Sequence, residues 1–468
     1  MIRQPLVIAL AFALLPFTAS ATDLLQTYEL ARAGDAQFSA AEANRLATRE
    51  GAVQARAAML PQINGDATYN RSDSDSEGTQ VFGSVLFPSN TSQDTTTRNV
   101  GINLDQMVYD RSRFTRLRSQ RALSRASDFQ LQAEGDNLVT RTSAAYFNVL
   151  VQLETLAAAE AAEAALNKQF DYASKRLEVG LAPITDVHEA RAQYDSARAN
   201  TIIARNAVED AYQALAEITG QPVRNLQGLP RDYQPQLPAS EGVDALVQTA
   251  IANNPALQAK QFQVESVEAN VDTARAGHWP TLYLGGSYGD RNSDGTSTNN
   301  LTQEQTDFEN ESQSRSIGLT LRVPIFAGGA TQSQVRQALA QRDVASAELE
   351  QQRRALERNT RNSYQTLVAG ISEVEARRLA LFSAQSAYDA SQVGLEVGTR
   401  TVLDVLNNQN NLFTAQRAYA LARYNYLQNR LLLEQAAGTL DIEDVQDINR
   451  LLTVSADAPL TPVTPPAP

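Results

Sequence analysis

The chain contains no cysteine. That absence excludes disulfides, thiolate metal sites and the acceptor for an N-terminal lipid anchor. Only two histidines are present, His188 and His278, too few to build a histidine metal cluster within one chain. Beyond the extreme N-terminus no stretch is apolar enough to cross a bilayer as a helix, in keeping with a mean hydropathy of −0.34. Lys and Arg number 40 against 53 Asp and Glu, so the formal net charge is −13. This balance argues against nucleic acid as a partner. No nucleophile–base constellation, phosphate-cradling loop or metal-ligand cluster stands out. The expectation is a protein that is not an enzyme and carries no cofactor.

Residues 1–21 read as a secretory signal. Arg3 supplies the positive start, Leu6 to Phe17 an apolar run, and Ala19-Ser20-Ala21 a small-x-small cleavage site. The run is too short to span a membrane, so cleavage is expected after Ala21, without lipidation.

What is present is the same unit twice. Val179-Gly180 and Asp186-Val187 return as Val397-Gly398 and Asp404-Val405, an offset of 218. Tyr146 answers to Tyr364, Ala204-Arg205 to Ala422-Arg423 and Gly220 to Gly438 at the same offset. Leu60-Pro61 pairs with Trp279-Pro280, and Val108-Tyr109 with Ile325-Phe326, within one residue of it. A register this constant marks an internal tandem duplication. The repeats are expected at 22–225 and 244–440, with a linker at 226–243 and a C-terminal segment at 441–468 that ends in a Pro-rich disordered tail.

Each repeat reads helix, strand, strand, helix, helix. Helices are expected over Asp23 to about Ala58, Asp110 to about Val179 and Asp186 to about Thr219. In the second copy they fall near Asp244–Gly277, Gln332–Val397 and Asp404–Ala437. The two shorter helices stacked end to end match the long one, about 105 Å at 1.5 Å per residue. Along the long helices, Tyr146, Val149, Leu153 and Leu156, and their counterparts Tyr364, Leu367, Ile371 and Val374, are spaced 3, 4, 3. That period is a coiled-coil seam, and an ordinary long coiled coil also satisfies it.

The strands point further. Ile317, Leu319, Leu321, Val323 and Ile325 alternate with Ser316, Gly318, Thr320, Arg322 and Pro324; Val100, Ile102 and Leu104 alternate with Gly101, Asn103 and Asp105. Segments of about ten residues, apolar on one face, are the signature of a transmembrane β-barrel, although a soluble sandwich also alternates. On the barrel reading Val100, Ile102, Leu104, Ile317, Leu319, Leu321 and Val323 face lipid, and the polar tracts 73–96 and 290–314 form long external loops. Trp279 suits an interfacial position equally with ordinary packing. Four strands cannot close a barrel, so at least two copies must combine to remove the sheet edges.

Asp186 and Asp404 each follow a turn and open a helix, and Asp186 with Glu189 has the spacing of a capping box. Helix capping alone accounts for both aspartates; a pore-facing role is compatible with it.

Together these residues resemble the TolC family of outer-membrane efflux proteins from Asp23 to about Asp444. The most specific parts are Ile184-Thr185-Asp186-Val187, Val397-Gly398-Thr399-Arg400-Thr401, Val323-Pro324-Ile325-Phe326 and Ala422-Arg423-Tyr424-Asn425-Tyr426-Leu427. The resemblance implies an α+β membrane protein of a Gram-negative cell: a homotrimer whose 12-stranded barrel, four strands per chain, continues as a long periplasmic α-helical barrel. It implies an exit duct for multidrug efflux and type I secretion, docked on inner-membrane pumps through periplasmic adaptors.

By the same resemblance Asp186 and Arg400 match a pair that links neighbouring helices at a closed tip, with Thr185 and Gln169 in the same network. Asp404 matches a constriction ring. Asn407 stands where a second aspartate ring is usual, Leu395 where a tyrosine is usual and Gln392 where a glutamate is usual, so part of the latch is built differently. Two other readings compete, a non-conducting coiled-coil tether and a periplasmic adaptor. The adaptor should carry one helical hairpin rather than two tandem copies.

Overall fold

A computed structural model of the chain describes residues 22–82, 84–230, 232–236 and 242–456. The signal segment, the Pro-rich tail and part of the 226–243 linker lie outside these residues. The first copy comprises α1 (Leu24–Gly34), α2 (Ala36–Ala57), β1 (Gln62–Phe82), β2 (Val85–Tyr109), α3 (Arg111–Glu178) and α4 (Ile184–Thr219). A short β3 (Gln227–Gly228) follows. The second copy repeats the order as α5 (Val243–Asn253), α6 (Pro255–Ala276), β4 (Thr281–Asn299), β5 (Glu304–Arg322), α7 (Ala330–Glu396) and α8 (Val402–Ala437). The chain then adds α9 (Ile442–Asn449) and β6 (Val454–Ser455). Two compact units result, and they cut across the copies: one takes residues 44–128 and 259–350, the other the remaining helical segments.

The first of these units holds an antiparallel sheet in the order β1-β2-β4-β5. Directly paired residues in such a ladder project to the same face. The registers therefore place Ile63, Leu104, Gly286 and Ile317 in one row, Gly65, Ile102 and Tyr288 in the next, and Gln106, Leu284 and Leu319 on the other side. The apolar positions of all four strands thus share a face, opposite a polar row of Asn64, Asn103, Ser287 and Ser316. Val100, Ile102, Ile317, Leu319 and Leu321 are exposed and Leu104 is half-buried. Val323 falls just past the end of β5, in the following segment rather than on the strand. A bulge between Met107 and Tyr109 ends the regular register of β2 on β4, and Arg111 lays its guanidinium over Trp279 at 4.7 Å.

Two expectations are corrected here. The polar tracts 73–96 and 290–314 are not long loops. They continue the strands to 21, 25, 19 and 19 residues, with turns among the described residues only at 84 and near 300–303. Side-chain alternation fades there, but the backbone ladder does not, and polar cross-strand pairs line it. Arg71 meets Asp94 at 2.6 Å and Asn90 donates to Glu77 at 3.1 Å.

The first helix of each copy is also broken in two. At Asp35 the backbone is extended, and its carboxylate accepts the Phe38 N–H at 2.6 Å to start α2. Asn254 does the same for Leu257 at 3.1 Å, ahead of Pro255. The cause is tertiary: a side chain on Gly34 would lie 2.3 Å from the Thr219 carbonyl, because the end of α4 packs on the break.

In the helical unit the predicted stripe is core. Tyr146, Val149, Leu367 and Val374 are fully buried, with Leu153, Leu156, Tyr364 and Ile371 packed around them. Tyr146 donates to the Gln227 carbonyl at 2.8 Å, which ties α3 to β3. β3 pairs with β6, and Asn449 of α9 accepts the Leu24 N–H at 2.9 Å, so the linker and C-terminal segment are partly ordered. The largest fully buried side chain among the described residues is Arg423, whose Nη2 reaches both Glu154 oxygens at 2.7 Å.

Candidate functional site

The turns joining α3 to α4 and α7 to α8 carry most of the residues singled out above. Both are built alike because both need one residue at positive φ, supplied by Gly180 (φ 75°) and Gly398 (φ 77°). Leu181 N–H then bonds the Arg176 carbonyl at 2.8 Å, and Thr399 N–H the Gly394 carbonyl at 2.8 Å. These are the six-to-one bonds of a Schellman ending, repeated at the duplication offset.

The next helices begin differently. Thr401 is the N-cap of α8 and Asp404 its third residue, and the two form a reciprocal capping box. The cap of α4 is Pro183, which makes no side-chain cap bond, and Asp186 sits at the third helical position. The expected box between Asp186 and Glu189 is therefore absent: Pro183 stands where Thr401 stands, with no hydroxyl and no N–H. Asp404 also departs from the expectation that it caps the helix, since that role belongs to Thr401. Its carboxyl is held below the usual carboxylate range by the Thr401 backbone N–H and hydroxyl, with the Arg400 charge adding. The Thr-x-x-Asp spacing of residues 401–404 is itself a capping-box signature in the sequence.

Around the turns, Leu395 packs with Tyr194 against Leu166, Ala197, Val402 and Leu406. The position thus serves an apolar joint between the two helical pairs. Gln392 donates to the Tyr388 hydroxyl at 2.6 Å. Arg400 lays its stem over Gly394, while Thr185 and Asn407 are exposed. Within the chain no bond joins Asp186 to Arg400 among the described residues. Two buried amide nitrogens, those of Gln169 and Gln409, find no acceptor; Gln409 was not anticipated from sequence. The described residues contain no group able to hold a metal ion and no helix long and apolar enough to cross a membrane.

Residues 27–221 and 246–439 match the profile described as outer membrane efflux protein, one match per copy. The outer membrane protein TolC of Vibrio cholerae is 34% identical over 452 residues, which cover 96% of this chain and 98% of that one. The alkaline protease secretion protein AprF of Pseudomonas aeruginosa is 30% identical, covering 92% and 87%. Among solved structures, the CmeC outer membrane channel of Campylobacter jejuni superposes with a TM-score of 0.71 at 17% identity, covering 92% of this chain and 90% of that one.

Proposed function

The chain belongs to the outer membrane efflux protein family, and from that membership we propose that three copies form an exit duct across the outer membrane of a Gram-negative cell. The observation that carries this reading is the sheet: four strands, one continuous apolar face and two open edges, β1 and β5. Twelve strands from three copies remove every edge and turn the apolar face to lipid. Val100, Ile102, Leu104, Ile317, Leu319 and Leu321 form the lipid face, with the Asn64 and Asn103 row toward the lumen.

On this reading the duct serves drug efflux and, by analogy with the secretion role named for AprF, type I protein secretion, working with a periplasmic adaptor and an inner-membrane pump. The α3–α4 and α7–α8 turns form its closing end. Asp186, whose carboxylate finds no partner among the described residues, pairs there with Arg400 of a neighbouring helix pair, and Thr185, Gln169 and Gln392 contribute polar contacts. Asp404 supplies one ring of three carboxylates, and Asn407 adds no charge.

Native mass measurement and planar-bilayer recording of the purified protein test this together. Three-chain particles with ion conductance are expected. Stable particles that never conduct would instead fit the non-conducting tether. Deletion should sensitise cells to drugs or abolish secretion of a protein substrate.

A further inference from the structure

The net charge of −13 hides a local excess of the opposite sign. The first eleven residues of α3, 111–121, hold Arg111, Arg113, Arg116, Arg118 and Arg121 and no acid. The first eleven of α7, 330–340, hold Arg336 alone and likewise no acid. Both helices follow a strand of the same sheet, so the architecture does not ask for the arginines. The helix dipole opposes them, because its positive end lies here.

The two sides of α3 can be told apart. Tyr283 pairs directly with Thr320 and so shares the polar face of the sheet. Its hydroxyl donates to Asp110 at 2.6 Å, and Arg113 approaches the same oxygen at 3.7 Å. Arg113, with Arg116 one turn on, therefore lies toward the polar side. At about 100° per residue, Arg111, Phe114, Arg118 and Arg121 gather on the side turned away from them, and all four are exposed. That side continues the apolar face of β2 and β4.

At its barrel end the Arg111 guanidinium lies 4.7 Å over Trp279, with Phe114 exposed one turn further along. Arg45 of α2 meets Asp128, two turns past Arg121 on this side, at 2.6 Å. Arg56, eleven residues after Arg45, falls on the same side of α2. Asp272 is shared by Arg118 at 3.9 Å and Arg275 at 3.4 Å, whereas Arg56, Arg111 and Arg121 meet no carboxylate among the described residues.

Depth separates these three. The apolar positions run to the strand ends, where Leu282 pairs with Leu321. Headgroups occupy about 6 Å beyond the hydrocarbon on each side of a bilayer. Along the helices Arg111 stands about 3 Å from the end of β2 and Arg56 about 8 Å from the start of β1, within side-chain reach of that layer. Arg121, about 18 Å away, is not.

We propose that Arg56 and Arg111 bind the phosphate of an anionic phospholipid in the periplasmic leaflet, with Trp279 and Phe114 against its glycerol and upper acyl chain. The proposal rests on the lipid-facing reading of the sheet. Guanidinium forks suit phosphate oxygens, and the exposed rings beside them suit a lipid rather than a free anion. The ammonium of a zwitterionic headgroup would find no free carboxylate, since Asp272 already serves two arginines.

Trp279 is the single tryptophan of the chain and reports from inside the site. The full chain is reconstituted in mixed phosphatidylcholine and phosphatidylglycerol vesicles, with bromine on the acyl chains of one lipid or the other. Quenching of Trp279 should favour phosphatidylglycerol by about fivefold for each arginine engaged. Arg56→Gln with Arg111→Gln should abolish the preference, and Arg116→Gln, on the polar side, should keep it. Comparing the two lipids within one variant cancels any change in the emission itself. Equal quenching by both lipids in three-chain particles overturns the proposal and leaves the barrel standing, as does an equal loss in Arg116→Gln. Quenching by neither lipid overturns the lipid-facing sheet as well. A preference lost in sodium phosphate but kept in sodium chloride of the same ionic strength would assign the site to a free anion instead.

Discussion

Thr401 and Asp404 hold one another at the start of α8. The Thr401 hydroxyl accepts the Asp404 N–H at 3.2 Å while the Asp404 carboxylate accepts the Thr401 N–H at 2.9 Å. In the first copy Pro183 leaves Asp186 without that partner. Two aspartates at equivalent positions therefore differ in what they have left to offer: one is partly committed inside its own helix, the other is available.

Charge and cap at Asp404 can be separated. Asp404→Asn keeps a carbonyl for the Thr401 N–H and removes the charge; Asp404→Ala removes both. Block of the open duct by multivalent cations should fall in both variants. Faster hydrogen exchange in the first turn of α8 should appear only in Asp404→Ala, where the bond from the Thr401 N–H is lost. Because the carboxyl is depressed, its contribution is fully present above the unfolded value and is lost as pH falls through the lower folded value. Cation block should therefore persist to a more acid pH than an ordinary aspartate allows.

Burial pushes the Asp136 carboxyl up to about 6. A raised acid costs nothing while it is protonated in both states, so its effect is absent below about pH 4, grows as pH rises toward the folded value, and is complete above it. Asp136→Asn should raise the melting temperature at pH 8 and leave it unchanged at pH 4. Equal shifts at both would mean the carboxyl is not buried.

The two faces of β5 give a sharper test of the sheet. Leu319→Arg should impair assembly by about 2–4 kcal/mol if that face meets mid-membrane lipid. Thr320→Arg, its neighbour on the opposite face, should assemble normally. Heat-resistant particles on unboiled gels report the difference; equal damage would mean the alternation is misread.

Arg423 lies over the rings of Tyr419 and Tyr424, at 4.8 and 5.7 Å, with Nη2 on Glu154 and Nη1 on the Pro230 carbonyl. Removing it strands a half-sheltered carboxylate, so Arg423→Leu should cost about 3 kcal/mol in thermal or denaturant unfolding. Arg423→Lys should recover only part of this, because one ammonium cannot serve both Glu154 and the Pro230 carbonyl, which Nη2 and Nη1 reach separately.

Much of this was legible before any coordinates. The glycines of the two turns announce themselves because only positive φ suits the Schellman ending, and the stripe from Tyr146 to Leu156 is core as its spacing implies. The barrel face was readable because Ile317, Leu319 and Leu321 alternate. What was not legible depends on distant chain. Gly34-Asp35 and Asn254-Pro255 are local stop and cap signals, but the close approach of Thr219 to Gly34 is not readable there. The strands through 73–96 are set by backbone pairing, which leaves no side-chain period to read. Glu154 and Arg423 lie 269 residues apart, and no local pattern connects them.

The open ladders of β1 and β5 also govern how fast the protein matures. Each newly exported chain presents two unpaired edges of 21 and 19 residues, the geometry that templates aggregation. Completion is an encounter between separate molecules, so its rate rises steeply with the number of chains waiting in the periplasm, and the losses to misassembly rise with it. The yield of finished ducts is then set by export rate as much as by fold, and a modest change in synthesis shifts how many incomplete chains the cell must shelter or degrade.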